Sequence, residues 1–222
     1  MNRKHFTLAL CLLAVTGSFA NVRAAEAKNR WEAAIQAFEM QDAAHPPKKG
    51  GVVFVGSSSI RKWDLAKSFP KLEALNRGFG GSEVADSLQF ADRIILIYEP
   101  RVVVVYAGDN DVARGKRPQQ VRDDFEKLVR KIHTALPETK IVFIAIKPSI
   151  ARWKLVDTMR AANRLIHELA EADKRLVFVD VDKPMIGGDG KPRRELFARD
   201  GLHLSAAGYK LWAGLVEPHL GR

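Results

Sequence analysis

Residues 52–63 read Val52-Val53-Phe54-Val55-Gly56-Ser57-Ser58-Ser59-Ile60-Arg61-Lys62-Trp63. The four apolar residues at the start have the pattern of a strand buried on both faces, as in a parallel sheet. Gly56 allows the chain to turn sharply where that strand ends. The serines then lie at the carboxyl edge of the sheet, where open α/β folds place their ligands. Ser58 is a candidate nucleophile. The same serines also fit the N-cap of the helical segment that follows. What the remaining strand ends carry decides between these readings.

Outward from this stretch, strand-like and helix-like segments alternate. Trp31, Ile35 and Phe38 share one face of a predicted helix over 29–44. A Pro- and Gly-rich linker at 45–51 leads into the first strand. Short segments follow: helix or turn at 61–69, a weak strand at 72–76 and a helix at 83–97. Strands are expected at 102–106, 141–146 and 176–181. Helices are expected at 118–136, 155–172 and 205–216, with Ser205 as N-cap of the last. This alternation predicts an α/β fold, a three-layer α/β/α sandwich around a five-stranded parallel sheet.

The amino-terminal end has a different composition. Asn2-Arg3-Lys4-His5 is basic, Phe6 to Val15 is apolar, and small residues follow. Residues 1–24 therefore read as a signal peptide, cleaved after Ala20 or Ala24, and the protein is expected to be exported, periplasmic or secreted. The apolar stretch is too short to span a bilayer. A lipoprotein reading is poor, since Cys11 lies inside that stretch and follows Leu10. Cleavage also removes the single cysteine, which excludes a disulfide, a cysteine nucleophile or a thiolate metal site. The leader carries Arg3, Lys4 and Arg23 and no acidic residue, so the net charge falls from +10 to +7. Residues 25–50 are expected to form the helix and linker and residues 51–222 a single domain. No membrane span and no nucleic-acid partner are expected of it; the excess positive charge is read as favouring solubility, with weak attraction to acidic glycans or membrane surfaces.

A serine hydroxyl attacks a carbonyl only when a base takes its proton, and the base is commonly a histidine held by a carboxylate. Of the six histidines, His5 lies in the leader, His45 in the linker, His133 and His167 within helices and His219 near the end. His203 follows the last strand, in Arg199-Asp200-Gly201-Leu202-His203. Asp200 is near enough within one turn to accept a hydrogen bond from its ring. Two further segments end strands on the same edge. Asn76-Arg77-Gly78-Phe79-Gly80-Gly81 offers glycine N–H groups at close range, and its glycine spacing does not fit a dinucleotide site. Gly108-Asp109-Asn110-Asp111 offers a side-chain amide. Serine, glycine N–H, asparagine amide and an Asp–His pair on one edge point to acyl transfer.

These residues resemble the SGNH/GDSL hydrolases over nearly all of residues 25–222. Gly56-Ser57-Ser58 corresponds to the family's Gly-Asp-Ser block, Gly81 to its glycine, Gly108 to Asp111 to its Gly-x-Asn-Asp block, and Asp200 to His203 to its Asp-x-x-His. The resemblance implies the flavodoxin-like SGNH hydrolase fold, a catalytic set of Ser58, Asp200 and His203, and an oxyanion hole of the Ser58 and Gly81 N–H groups with the Asn110 amide. Ser57 replaces the usual aspartate, which leaves Ser57 and Ser59 open as alternative registers; Ser58 keeps the family spacing from Gly56. The Gly-x-Ser-x-Gly elbow of α/β-hydrolases is absent, since position 60 is Ile. No metal or cofactor is implied. A calcium loop at Asp180, Asp182 and Asp189 has the wrong spacing.

The expected substrate is a small-molecule or glycan ester: a short-chain or carbohydrate acyl ester, or a lysophospholipid or thioester under the same chemistry. Arg77 and Phe79 after the second strand, and Arg152 and Trp153 after the fourth, are candidate rim residues. From another class, a catalytically silent envelope glycan-binding protein would leave Ser58 unlabelled by a fluorophosphonate.

Overall fold

The computed structural model describes residues 30–221. The proposed leader, 1–24, lies outside the described residues. The Arg30 guanidinium lies over the Trp31 ring, and the described residues from Ala34 onward form one compact unit.

The opening helix α1 (Glu32–Ala44) precedes strand β1 (Val52–Gly56). Two single-turn helices, α2 (Ser58–Arg61) and α3 (Leu65–Ser68), lead to β2 (Ala74–Gly78). Helices α4 (Val84–Gln89) and α5 (Ala91–Ile94) precede β3 (Val102–Tyr106). Then come α6 (Asp109–Ala113), α7 (Pro118–Ala135), β4 (Lys140–Ile144), α8 (Val156–Ala172), β5 (Leu176–Val179), α9 (Asp182–Met185) and α10 (Ala206–Val216). The five strands form one parallel sheet in the order β2-β1-β3-β4-β5. β1 lies second from one edge, and chain order reverses beside it. Open α/β folds place their ligands at the carboxyl ends of the strands beside such a switch point, and Ser58 directly follows β1 there.

Side-chain alternation in the strands divides the core into two layers. Val52, Phe54, Val102, Val104, Tyr106, Val142 and Ile144 face a cluster built from Trp63, Phe69, Met185, Phe197, Leu204 and Trp212. Trp212 of α10 is fully buried, its ring 4.7 Å from Tyr106 and 5.8 Å from Trp63. The intervening residues face the other way; there Phe143 meets Phe125 of α7 at 4.7 Å. β1 and β3 are buried at every residue, which explains their unbroken apolar runs. No helix among the described residues is long and apolar enough to cross a membrane.

Several boundaries differ from expectation. β2 begins at Ala74 and runs through Arg77 to Gly78, two residues later than the sequence pattern suggests, because register with β1 decides a short edge strand whose own residues favour it weakly. The single helix expected over 83–97 breaks at Phe90 and ends in a 3-10 turn, Leu96–Tyr98, with Glu99 in the left-handed region (φ 46°). β4 and β5 stop at Ile144 and Val179, two residues short of expectation, and the buried Ala145 and Ile146 after β4 lead to Lys147.

Candidate active site

The β1–α2 turn sets the position of the nucleophile. Gly56 has φ +132°, and a Cβ there would lie 1.9 Å from the Tyr106 carbonyl oxygen. Only glycine lets β1 lie so close to β3 at its last residue. The Ser57 N–H continues the pairing by donating to that oxygen at 2.9 Å. Ser57 is then fully buried, and Ser59 is buried with its Oγ against the Lys147 ammonium at 3.2 Å. Ser58 between them is half-exposed, and its Oγ lies 3.0 Å from His203 Nε2. Of the three serines it alone meets a histidine.

His203 Nδ1 lies 2.6 Å from Asp200 Oδ2. An ionised carboxylate only accepts, so Nδ1 carries a proton, which leaves Nε2 facing the Ser58 hydroxyl. The other Asp200 oxygen accepts the Leu202 and His203 N–H groups, each at 2.9 Å. Asp200 is held well below the usual carboxylate range, first by the His203 side chain and then by those two backbone donors. It therefore remains charged wherever a neutral imidazole can act. The 198–203 loop is braced by Ala198 N–H to the His203 carbonyl and by Ala151 N–H to the Gly201 carbonyl.

Asn110 is the second residue of α6, which begins three residues after β3 ends. Its Nδ2 donates to the Ser82 carbonyl at 2.9 Å, and its Oδ1 accepts from Arg152 Nη2 at 2.9 Å. A carbonyl only accepts and a guanidinium only donates, so these partners fix which end of the amide is which. One Nδ2 hydrogen remains for a bound oxygen. Gly81, with φ +79°, adjoins Ser82. Its carbonyl accepts from Arg114 at 3.0 Å, and Asp111 accepts the Val84 N–H. α6 and the residue just past it thus hold the 81–84 loop through Asn110, Asp111 and Arg114, so the two candidate donors are set in one frame.

That frame carries buried charge. Lys116 serves Glu83, Asp111 and Asp124 at 2.8, 2.9 and 2.8 Å. One ammonium shared among three carboxylates does not offset the burial of Asp111, which burial pushes up to about 6. With its folded-state pKa raised, Asp111 favours the folded state under acid and loses that contribution as pH rises from about 4 through about 6. Asp111→Asn removes this dependence. Its unfolding midpoint in urea, relative to wild type, is expected to improve from about pH 4 to about pH 7. A difference constant across that range would refute the assignment.

Beneath Ser58 lies a pair that the sequence reading did not single out. Lys147, fully buried, contacts Asp109 Oδ2 at 3.1 Å, the Tyr106 hydroxyl at 2.9 Å and Ser59 Oγ. Burial pushes Asp109 up, but Lys147 and then Arg152 outweigh it and hold the carboxyl below its usual value. The signal in the sequence was a lysine directly abutting an apolar strand, Ile144-Ala145-Ile146-Lys147.

The four rim candidates separate. Arg152 reaches the site through Asn110. Trp153 is half-buried in the next turn, with the Arg160 guanidinium 5.7 Å from its ring. Arg77 is not a rim residue. Because β2 extends through it, its side chain is buried under Phe38, donating to the Tyr98 hydroxyl at 2.8 Å and paired with Asp42 of α1. A buried guanidinium must be paired, and this one ties α1 to the sheet. Burial, then the bond to Asp42, pushes the Tyr98 hydroxyl up to about 12. Phe79 is not a rim residue either; it is buried edge-on against Phe90 at 6.2 Å.

Residues 54–211, which include every site residue named above, match the GDSL-like lipase/acylhydrolase family. The chain belongs to that family. It is 27% identical over 172 residues to the chicken platelet-activating factor acetylhydrolase IB subunit alpha2, covering 73% of this chain and 72% of that one. A GDSL-like lipase from Bacteroides thetaiotaomicron superposes with TM-score 0.71 at 20% identity, covering 84% of this chain and 96% of the other. An acetylxylan esterase from Geobacillus stearothermophilus superposes with TM-score 0.63 at 17% identity, covering 78% and 95%. As a GDSL-like acylhydrolase the protein is an ester-hydrolysing enzyme, and its overall fold is shared with these structural neighbours.

Proposed function

We propose that the protein is a serine esterase that cleaves short-chain or carbohydrate acyl esters through an acyl-enzyme on Ser58. The observation that carries this reading is the unbroken relay from Ser58 Oγ through the His203 ring to Asp200. His203 Nε2 takes the hydroxyl proton as Ser58 Oγ bonds to the ester carbonyl carbon. The negative charge on the former carbonyl oxygen is met by the Ser58 and Gly81 N–H groups and the free Nδ2 hydrogen of Asn110. The C–O bond to the alcohol then breaks, and His203 returns the proton to the leaving oxygen. Water, deprotonated by His203, attacks the acyl-enzyme, and Ser58 leaves with its proton restored. Asp200 keeps the ring in one tautomer throughout.

The name of the chicken relative specifies an acetyl group, which supports a short acyl chain here. The basic start and short apolar stretch of residues 1–24 support export, and on that reading the substrate lies outside the cytoplasm. Hydrolysis of p-nitrophenyl esters from acetate to palmitate tests the acyl preference. Turnover confined to short chains supports the reading, and preference for long chains moves the substrate to lysophospholipids. Hydrolysis of no ester, with no fluorophosphonate adduct on Ser58, leaves a silent glycan-binding protein. Asn110→Ala is expected to lower kcat by about a hundredfold or more, as oxyanion donors do elsewhere. Unchanged kcat in this variant would remove Asn110 from the oxyanion site.

A further inference from the structure

Arg152 takes no part in the proton transfers of the acyl-transfer scheme, yet it holds the group that receives the negative charge. It precedes the turn Trp153–Leu155, and its side chain is about four-fifths buried. Nη2 donates to Asn110 Oδ1 at 2.9 Å, and Nη1 lies 3.2 Å from Asp109 Oδ2. Asp109 is in turn fixed by Lys147, whose remaining contacts are the Tyr106 hydroxyl and the serine next to Ser58. The guanidinium is therefore anchored from below by a buried carboxylate, with one nitrogen left to grip the amide.

An asparagine amide has a broad two-fold torsion, so its own chemistry does not choose between its two orientations. In one, Nδ2–H faces the developing oxyanion; in the other, Oδ1 does and repels it. Reversal in this site would set the NH2 group against the Arg152 guanidinium and an oxygen against the Ser82 carbonyl. Both contacts oppose the turned state, and the charged one does so more strongly. A cation on Oδ1 also draws electron density from the amide and makes its N–H groups better donors.

We propose that Arg152 is a positioning residue that orients and polarises the Asn110 amide for the oxyanion. The proposal rests on the reading of Ser58 as nucleophile and Asn110 as oxyanion donor.

Steady-state kinetics on p-nitrophenyl acetate test it with wild type, Ser58→Ala, Asn110→Ala, Arg152→Met, Arg152→Lys and the double variant Asn110→Ala/Arg152→Met. Arg152→Met is expected to lower kcat about tenfold while KM stays within about twofold, because the lost interaction acts in the transition state. In the Asn110→Ala background the same change is expected to cost less than about twofold, since the amide it acts through is gone. Millimolar guanidinium is expected to restore activity to Arg152→Met and not to Asn110→Ala. Arg152→Lys keeps a cation beside Asp109 and is expected to fall between Arg152→Met and wild type; if Arg152→Met does not fold, the lysine variant carries the same comparison.

Full kcat in Arg152→Met, or in Arg152→Lys where that stands in for it, overturns the proposal. So does an equal loss in both backgrounds, or a loss carried wholly by KM, which would make Arg152 a substrate contact. An inactive wild type, or an active Ser58→Ala, instead overturns the underlying reading, and the proposal with it.

Discussion

Ser58→Ala is expected to lower kcat on a short-chain p-nitrophenyl ester by about a millionfold, the scale seen when a triad serine is removed. The size follows from the relay: without Oγ, His203 has no proton to take and the acyl group has no atom to bond. The fold should survive, because Ser58 is half-exposed and its side chain makes one hydrogen bond, to His203. Thermal melts of variant and wild type should agree within a few degrees. Ser57→Ala provides the comparison. Its Oγ is buried and meets no donor or acceptor among the described residues, so its loss should leave hydrolysis within about twofold, as substitutions that break no named interaction usually do. Intact-mass spectra after fluorophosphonate treatment should show one adduct on wild type and none on Ser58→Ala. Hydrolysis persisting in Ser58→Ala would assign the nucleophile elsewhere and dissolve the proposed mechanism.

Gly56→Ala should act on folding rather than on chemistry. The added methyl would sit 1.9 Å from the carbonyl oxygen of Tyr106, an atom of the central β3 backbone that already accepts the Ser57 N–H. Neither partner can yield without opening the β1–β3 pairing, and φ +132° is strained for any residue with a Cβ. Single substitutions seldom cost more than about 4 kcal/mol, and a backbone clash inside the core belongs to that tail. A loss of about 4 kcal/mol lowers the melting temperature of a domain this size by roughly 8–16 °C. Gly50→Ala separates conformational strain from collision. Gly50 also has positive φ, at +78°, but a Cβ there meets nothing within 4 Å, so the cost should stay near about 1 kcal/mol. Gly56→Ala melting within a few degrees of wild type would show that the sheet can part at this point, contrary to its packing.

What could be read from the sequence was what depends on neighbours along the chain. β1 and β3 announce themselves as unbroken apolar runs because both faces are covered. Asp200 and His203 are three residues apart, so their bond is a local property. The alternation of strand-like and helix-like segments predicted the five-stranded parallel sandwich, whereas the flavodoxin-like form of the fold was implied by the family resemblance. Contacts across the fold were illegible. Arg77 reads as a loop arginine after a strand ending at 76, yet register with β1 carries the strand through it and buries it against Asp42, thirty-five residues away. Lys147 finds Asp109 across 38 residues, and Arg152 finds Asn110 across 42. Such pairs are chosen by which elements pack together, and no periodicity encodes them. The helix expected over 83–97 failed for a similar reason. Its apolar residues continue past Phe90, but the backbone breaks there to deliver Tyr98 to Arg77 and Asp42.

The placement of the relay along the chain also bears on how the molecule is made. Among the described residues Ser58 follows the first strand, whereas Asp200 and His203 follow the last, in a loop that leads into α10. A ribosome extrudes the nucleophile more than a hundred residues before its base, and a chain ending short of residue 200 carries a serine, an amide and a glycine loop with nothing to accept the proton. Trp212 then seals the layer beneath Tyr106 and Trp63. On the proposed mechanism, ester cleavage is withheld from nascent and truncated chains by the order of synthesis itself.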